Sequence, residues 1–155
     1  MRVAIPRIFV NRLTSLRNPP KTITESPSLH INSEEDFTSL LKSNTYVVVN
    51  FTTSWTPSCR GSVDAIYDTL ACNHSIPESL AFGRVNVDRF EPIARKYGVT
   101  ILPSYVFFQH AKQVSVNKHA MIRGADIDFL IVACDRFREL AVTQVIKQAK
   151  PSFPS

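Results

Sequence analysis

The residues best suited to chemistry in this sequence are the run Trp55-Thr56-Pro57-Ser58-Cys59, which closely follows a stretch of β-branched and apolar residues. A thiol at the start of a helix can serve as a nucleophile, because the free backbone amides and the helix dipole favour its thiolate form. Pro57 fits the first helical position. Thr56, which precedes it, can cap the free backbone amides of the first helical turn. We therefore predict a helix that begins at this run and ends near Leu70 or Cys72.

The elements that position this run are predicted from the spacing of apolar residues. The stretch from Tyr46 to Thr52 is apolar on both faces, which is typical of a central strand that is covered on each side. We expect further strands at 80–87 and 105–108, an edge strand at 114–119, and helices at 33–44, at 90–97 and from Asp126 onward. This order predicts an α/β protein with a mixed central sheet and helices on both faces.

The N-terminal segment has a composition of its own. Residues 1–24 contain five basic residues and no acidic one, and the basic residues interrupt every short apolar stretch, as in mitochondrial transit peptides. We therefore predict a mitochondrial targeting leader and linker at 1–28, a domain at 29–148, a tail at 149–155, and the matrix as the location. A basic tail without a targeting role is the alternative.

The positive and negative charges beyond residue 24 are equal in number, which bears on whether the chain binds nucleic acid. The chain has 18 Lys and Arg residues, and the 13 that lie beyond residue 24 equal the 13 Asp and Glu residues, all of which also lie beyond it. The sequence therefore predicts no basic face for nucleic acid. No apolar run approaches the roughly 18 residues that a membrane span needs, so we expect no such segment.

Three cysteines and four histidines are the remaining candidates for redox or metal chemistry. An odd and sparse set of cysteines is typical of a reducing compartment. We expect Cys72 and Cys134 to be small core residues, because free cysteines in helices usually are. The histidines fall in four separate segments of the chain, so the sequence predicts no metal site and no bound cofactor.

Several landmarks occur in an order and spacing that point to one family. They are the strand and run at 47–59, the segment Gly83 to Asp88, the segment Tyr97 to Ser104 with Pro103, and Gly124. Over about residues 30–140 the chain resembles the thioredoxin family, in which these segments correspond to the strand before a Trp-Cys-Gly-Pro-Cys motif, the next strand, a cis-proline loop and a glycine before the last helix. The resemblance implies a thioredoxin fold and disulfide reduction as the family's general activity.

Two positions depart from the family pattern, and both affect the implied chemistry. The family's nucleophilic first cysteine corresponds to Thr56, whose hydroxyl is scarcely ionised at neutral pH and has no predicted base beside it. Cys59 matches the second cysteine, which in the family resolves the mixed disulfide that the first one forms. Asn50 stands where the family has a buried aspartate that moves protons, and an amide cannot do this. The resemblance therefore implies a degenerate site that has lost dithiol exchange.

Two functions remain open for such a site. One is a binding module of mitochondrial redox homeostasis, whose protein clients dock in a groove beside the run 55–59. The residues expected to form this groove are Trp55, Ile101, Leu102, Pro103 and Gly124. Alternatively, Trp55 and Pro103 only hold the fold. The other function is a one-cysteine redox enzyme acting through Cys59, either a weak disulfide reductase that uses glutathione or a peroxidase, so the sequence leaves open whether the chain is an enzyme.

Overall fold

A computed structural model describes residues 27–149 of the chain. The predicted leader and tail lie almost entirely outside these described residues. The helices are α1 (Glu34–Ser43), α2 (Ser62–His74), α3 (Glu91–Lys96) and α4 (Ile127–Ala149). The strands are β1 (Leu29–Ile31), β2 (Tyr46–Thr52), β3 (Leu80–Asn86), β4 (Ser104–Gln109), β5 (Lys112–Val114) and β6 (Met121–Arg123).

Two helices begin where a side chain satisfies a free amide of the first turn. At α1 the Ser33 hydroxyl accepts a hydrogen bond from the Asp36 amide at 3.1 Å. At α4 an Asp126 carboxylate oxygen accepts one from the Phe129 amide at 3.2 Å. Each cap replaces a hydrogen bond that the first helical turn otherwise lacks. These contacts confirm the two helix starts that were predicted from the sequence.

The strands of the described region form one mixed sheet in the order β1-β3-β2-β4, and the outer side of β4 is shared by β5 and β6. β2 runs parallel to β3 and antiparallel to β4. β5 pairs with residues 107–109 of β4, and β6 pairs with residues 104–106. β5 and β6 therefore act as one edge strand that is interrupted at 115–120.

Two apolar layers cover the two faces of this sheet. On one face α2 and α4 pack over strand residues that include Phe82 and Phe107. On the other face α1 and α3 pack over Val49 and neighbouring residues. In the first layer the fully buried Tyr67 donates a hydrogen bond from its hydroxyl to the Gly83 carbonyl at 2.6 Å, which ties α2 to β3. The predicted arrangement of a mixed sheet with helices on both faces is confirmed.

Two predictions about the strands need correction. β1 and β6 are absent from the predicted set, because strands of three residues carry little pattern and depend on pairing with distant strands. The predicted edge strand at 114–119 lies instead at Lys112–Val114. The turn before it contains no glycine, yet His110 and Ala111 have φ values of 51° and 65°. This is the left-handed backbone that a two-residue hairpin requires, and here two ordinary residues adopt it.

Candidate functional site

The predicted site residues lie at one edge of the sheet, where β2 ends and β4 begins. Antiparallel pairing places Phe51 of β2 opposite Ser104 of β4. Ser104 is in turn opposite Arg123, so the end of β6 reaches the same edge. The segments that leave the sheet there are 53–59, 101–103 and Gly124.

The run around Cys59 forms one turn of 3-10 helix, Pro57–Cys59, rather than the start of an α-helix. The Cys59 amide donates to the Thr56 carbonyl at 3.0 Å, but the Thr56 side chain makes no capping hydrogen bond. The next residue is extended, and Gly61 has a φ of +70°, which glycine adopts without a steric penalty from Cβ. Because α2 begins only at Ser62, the predicted helix start at Thr56 is wrong.

The three cysteines are free thiols in three different surroundings. Cys59 is buried, with 4% of its surface exposed. Cys134 is buried between the sheet and α2, as predicted, and burial raises the pKa of its thiol to about 12. Cys72 is exposed, so its predicted core position is wrong. The buried face of α2 carries Tyr67, Leu70 and Ala71 instead.

Asn50 lies in the middle of a row of residues that crosses three strands. The strand register places Arg84 of β3 on one side of it and Tyr105 of β4 on the other. Asn50 is 2% exposed, and its side-chain oxygen Oδ1 has no hydrogen-bond partner among the described residues. The position that the resemblance assigns to a buried aspartate therefore holds a neutral amide beside a residue with a guanidinium group.

Arg84 forms an ion cluster with two carboxylates of α2, which the sequence analysis did not predict. Its Nη1 lies 2.5 Å from Asp64 Oδ1, and its Nη2 lies 2.7 Å from Asp68 Oδ1. The Arg84 side chain is 11% exposed, and each of the two carboxylate side chains is 33% exposed. Two carboxylates four residues apart share one face of a helix, and this spacing was the signal that could have revealed the cluster. The charge of Arg84 is thus balanced from α2, without a carboxylate on β2.

Tyr105 brings a further buried polar group to the site. Its hydroxyl has no hydrogen-bond partner in the described part of the chain, and the residue is fully buried. Burial raises the pKa of Tyr105, and the charges of Cys59 and Asp64 raise it further. Buried Thr56 Oγ1 and Arg84 Nε also lack partners there, so unsatisfied polar atoms concentrate around Cys59.

Trp55 is open to solvent but anchored at its indole nitrogen. The residue is 69% exposed. Its Nε1 donates to Asp88 Oδ1 at 2.9 Å, and the Thr53 hydroxyl donates to Asp88 Oδ2 at 2.5 Å. The hydrogen bonds from Thr53 and Trp55 lower the pKa of Asp88. The indole ring is therefore held in one orientation while most of its surface stays accessible.

The other predicted docking residues differ in exposure. Ile101 is 50% exposed, Leu102 is half-buried and Pro103 is buried. The Leu102–Pro103 peptide bond is cis, as the motif predicted. The Pro103 carbonyl accepts a hydrogen bond from the Gly124 amide at 2.7 Å, which joins the start of β4 to the end of β6. Of the predicted docking residues, Trp55 and Ile101 therefore offer the large apolar surfaces.

Other potential sites are limited in the described region. Residues 27–149 contain no group of His, Cys, Asp and Glu side chains that could hold a metal ion. No helix in this range is both long and apolar enough to cross a membrane. His74 is partly buried, and its Nε2 lies 2.7 Å from Asp135 Oδ1. This histidine therefore joins α2 to α4 rather than serving a metal.

Comparison with known proteins agrees with this geometry. The family model for thioredoxin matches residues 28–132. A thioredoxin-like protein of Fusarium culmorum is 42% identical over 116 residues, which are 75% of this chain and 95% of that protein. A thioredoxin of Neurospora crassa is 39% identical over 112 residues, which are 72% of this chain and 87% of that protein.

Solved structures show the same fold. Mitochondrial thioredoxin 3 of Saccharomyces cerevisiae, in its oxidized form, matches with a TM-score of 0.61 at 20% identity, over 72% of this chain and 99% of that one. The thioredoxin of Fasciola hepatica matches with a TM-score of 0.59 at 29% identity, over 70% of this chain and 98% of that one. The mixed sheet and its two helical layers are thus an α/β thioredoxin fold, and the chain belongs to the thioredoxin family.

Proposed function

We propose that this chain is a mitochondrial thioredoxin-like protein of redox homeostasis that binds protein clients and no longer performs dithiol exchange. The observation that carries the loss of exchange is the state of Thr56. Its Oγ1 is buried and has no hydrogen-bond partner among the described residues. A hydroxyl attacks a disulfide only when a base takes its proton, and no base contacts this one in the described structure.

The positions of the three cysteines support the same conclusion. Dithiol exchange needs two thiols whose α-carbons lie within about 7 Å, so that a disulfide can close. Cys59 is buried at the end of the 3-10 turn, Cys72 is on the exposed face of α2, and Cys134 lies in α4. None of the three is bonded to another. With Thr56 in the nucleophile's place, Cys59 has no mixed disulfide to resolve.

Client binding is supported by the surface beside the degenerate run. Trp55 and Ile101 are exposed apolar side chains on segments that leave the same edge of the sheet. The hydrogen bond from Trp55 to Asp88 fixes the indole before any client arrives, which lowers the entropy cost of binding. We infer that this surface recognises extended, apolar client segments.

The activity test is the single substitution Thr56→Cys, assayed by insulin reduction with dithiothreitol and with glutathione. We expect no reduction above background by the native chain and measurable reduction by the variant, because the variant regains the missing thiol. The rate should stay low, since α2 starts only at Ser62 and its amides lie beyond position 56. Thr143→Cys, on the exposed face of α4, is the matched control for an added thiol.

The binding test uses reduced, alkylated insulin B chain as an extended probe in calorimetric titration. Trp55→Ala should weaken binding markedly, whereas Cys59→Ser should change it only modestly. Val132→Ala removes another exposed apolar side chain, from α4, and serves as the control. Native insulin reduction that Cys59→Ser abolishes would replace the binding-module proposal with the one-cysteine enzyme.

The mitochondrial part of the proposal rests on the composition of the leader. A reporter fused to residues 1–28 should enter the mitochondrial matrix, because residues 1–24 are arginine-rich and contain no acidic residue, which suits import. Replacing the four leader arginines with glutamine keeps the length and removes four of the five positive side-chain charges. A native fusion that stays cytosolic would contradict the proposed location.

A further inference from the structure

A cavity of about 270 Å³ lies beside Cys59, on the side of the site where β1 and β3 lie. Residues that line it include His30, Thr52, Cys59, Asp64, Arg84 and Asn86. A water molecule takes up about 30 Å³ in the liquid, so the cavity has room for a small polar molecule. A client protein is too large to enter it.

The cavity gives Cys59 a second approach that differs from the docking surface. None of Trp55, Ile101 and Pro103 lines it. Three other lining residues, His30, Ser54 and Arg60, are exposed, so the cavity reaches the protein surface at those positions. Cys59, which also lines the cavity, is 4% exposed. The thiol is therefore shielded from proteins and open to small molecules.

The walls of the cavity favour a small hydrogen-bonding molecule. Arg84 Nε is a buried donor without a partner, while Asp64 supplies a carboxylate that is already paired with the Arg84 Nη1 atom. Buried polar groups without partners bind ordered water or a ligand with matching groups. A neutral molecule that both donates and accepts hydrogen bonds suits this set, since the ion cluster is already charge-balanced.

We propose that Cys59 is a modification site for hydrogen peroxide and similarly small hydroperoxides, which reach Sγ through this cavity. The thiol proton passes to the Asp64 carboxylate, and the sulfur attacks one peroxide oxygen. An S–O bond forms while the O–O bond breaks, and the departing oxygen takes the proton from Asp64 and leaves as water, or as an alcohol when the peroxide carries an alkyl group. Sulfur is oxidised by two electrons to sulfenic acid, and the peroxide is reduced. The modification is stoichiometric, because no second thiol resolves it.

This inference goes beyond client binding and does not depend on it. The first experiment uses the full chain and compares its three cysteines as internal references. Hydrogen peroxide is added at neutral pH, sulfenic acid is trapped by dimedone in denaturant, and the site is located by peptide mass spectrometry. We expect Cys59 to react at least about tenfold faster than Cys134, since susceptibility follows access. The bulky reagent dithiobis(nitrobenzoate) should modify Cys72 but not Cys59.

Variants then test the route and the proton acceptor. Ser54→Trp and His30→Trp, at the mouth of the cavity, should slow oxidation of Cys59, whereas Ile101→Trp on the docking surface should leave it unchanged. Asp64→Asn should slow it by about tenfold or more at neutral pH, as loss of a positioned base does. This defect should shrink at alkaline pH, where hydroxide takes the proton instead. Asp68→Asn removes the other carboxylate partner of Arg84, which does not line the cavity, and is the matched control.

Three results would overturn the proposal. The first is a Cys59 that is as inert to peroxide as Cys134 in the native chain, a result that needs no variant. The second is slowing by Ile101→Trp without slowing by either cavity variant, which would place the route at the docking surface. The third is an equal loss for Asp64→Asn and Asp68→Asn at every pH, which would make Asp64 a structural partner of Arg84 only.

Discussion

Replacing Asn50 with aspartate should destabilise the protein as the pH rises, although the family has aspartate at this position. The new carboxyl group would be buried, since Asn50 is 2% exposed. Its neighbour Arg84 already contacts Asp64 at 2.5 Å and Asp68 at 2.7 Å. Desolvation and two nearby negative charges both disfavour a third carboxylate, so the pKa of the new group should be raised in the folded state.

The size of the effect follows from this pKa shift. Full burial alone raises a carboxyl pKa by up to about 3–5 units, and the nearby guanidinium should reduce this to about 2 units. Each unit corresponds to about 1.4 kcal/mol, so Asn50→Asp should cost about 3 kcal/mol above the raised pKa. The sign follows from proton binding: a folded state with a raised pKa holds its proton longer than the unfolded chain. The variant should therefore be near native stability below the unfolded pKa of about 3.9 and lose stability as the pH rises through the folded value.

The assay is urea unfolding of the native chain and the Asn50→Asp variant at pH values from 4 to 8. Asn86→Asp makes the same chemical change at a half-buried position on β3 and should show little pH-dependent difference. Adding Asp64→Asn to Asn50→Asp removes the carboxylate partner of Arg84 Nη1. The double variant should therefore recover about 1 kcal/mol or more of the lost unfolding free energy, because the two positions are coupled through Arg84. If Asn50→Asp gains stability relative to the native chain between pH 5 and 8, then Asp64 and Asp68 do not fully neutralise Arg84 and the prediction is wrong.

Two further predictions concern the anchor of Trp55 and the turn after β4. Because Trp55 is the single tryptophan and bonds Asp88, its fluorescence should change at a pH below the ordinary range for aspartate, and Asp88→Asn should remove this transition. Stability from this contact is present above the unfolded pKa of Asp88 and is lost as the pH falls through the lowered folded value, so a transition near neutral pH would contradict it. Ala111→Gly should raise the free energy of unfolding by about 0.5–1 kcal/mol, since Ala111 has a φ of 65° and glycine adopts it without strain. Ala65→Gly, in the exposed interior of α2, should lower it by about 1 kcal/mol, and equal effects of the two substitutions in thermal unfolding would refute the strain argument.

The parts of the fold that sequence predicted well are those with strong local patterns. The strand at Tyr46–Thr52 was predicted with its observed bounds, because an apolar, β-branched run of that length has few alternatives. The cap at Ser33 likewise depends on residues only three positions apart. β1 is different, since Leu29 to Ile31 are held as a strand by pairing with β3, more than fifty positions along the chain. No local signal reports such a contact.

The site was predicted only in part for the same reason. Asn50, Trp55 and Cys59 were identified from the family resemblance, whereas the contacts of Arg84 with α2 depend on how the helix packs against β3. The helix start failed at Thr56 because a capping residue followed by proline also suits a single 3-10 turn. The backbone at Gly61 ends that turn, and a glycine in sequence does not reveal which of its many conformations it will adopt.

The short strands at both sides of the sheet bear on how this protein behaves at high concentration. β1 has three residues, and on the far side β5 and β6 have three each, separated by the excursion at 115–120. An edge offers unpaired amide and carbonyl groups to other chains, and a template this short supports few intermolecular hydrogen bonds. The fold thereby limits edge-to-edge aggregation while leaving its apolar surface at Trp55 and Ile101 open for selective contacts.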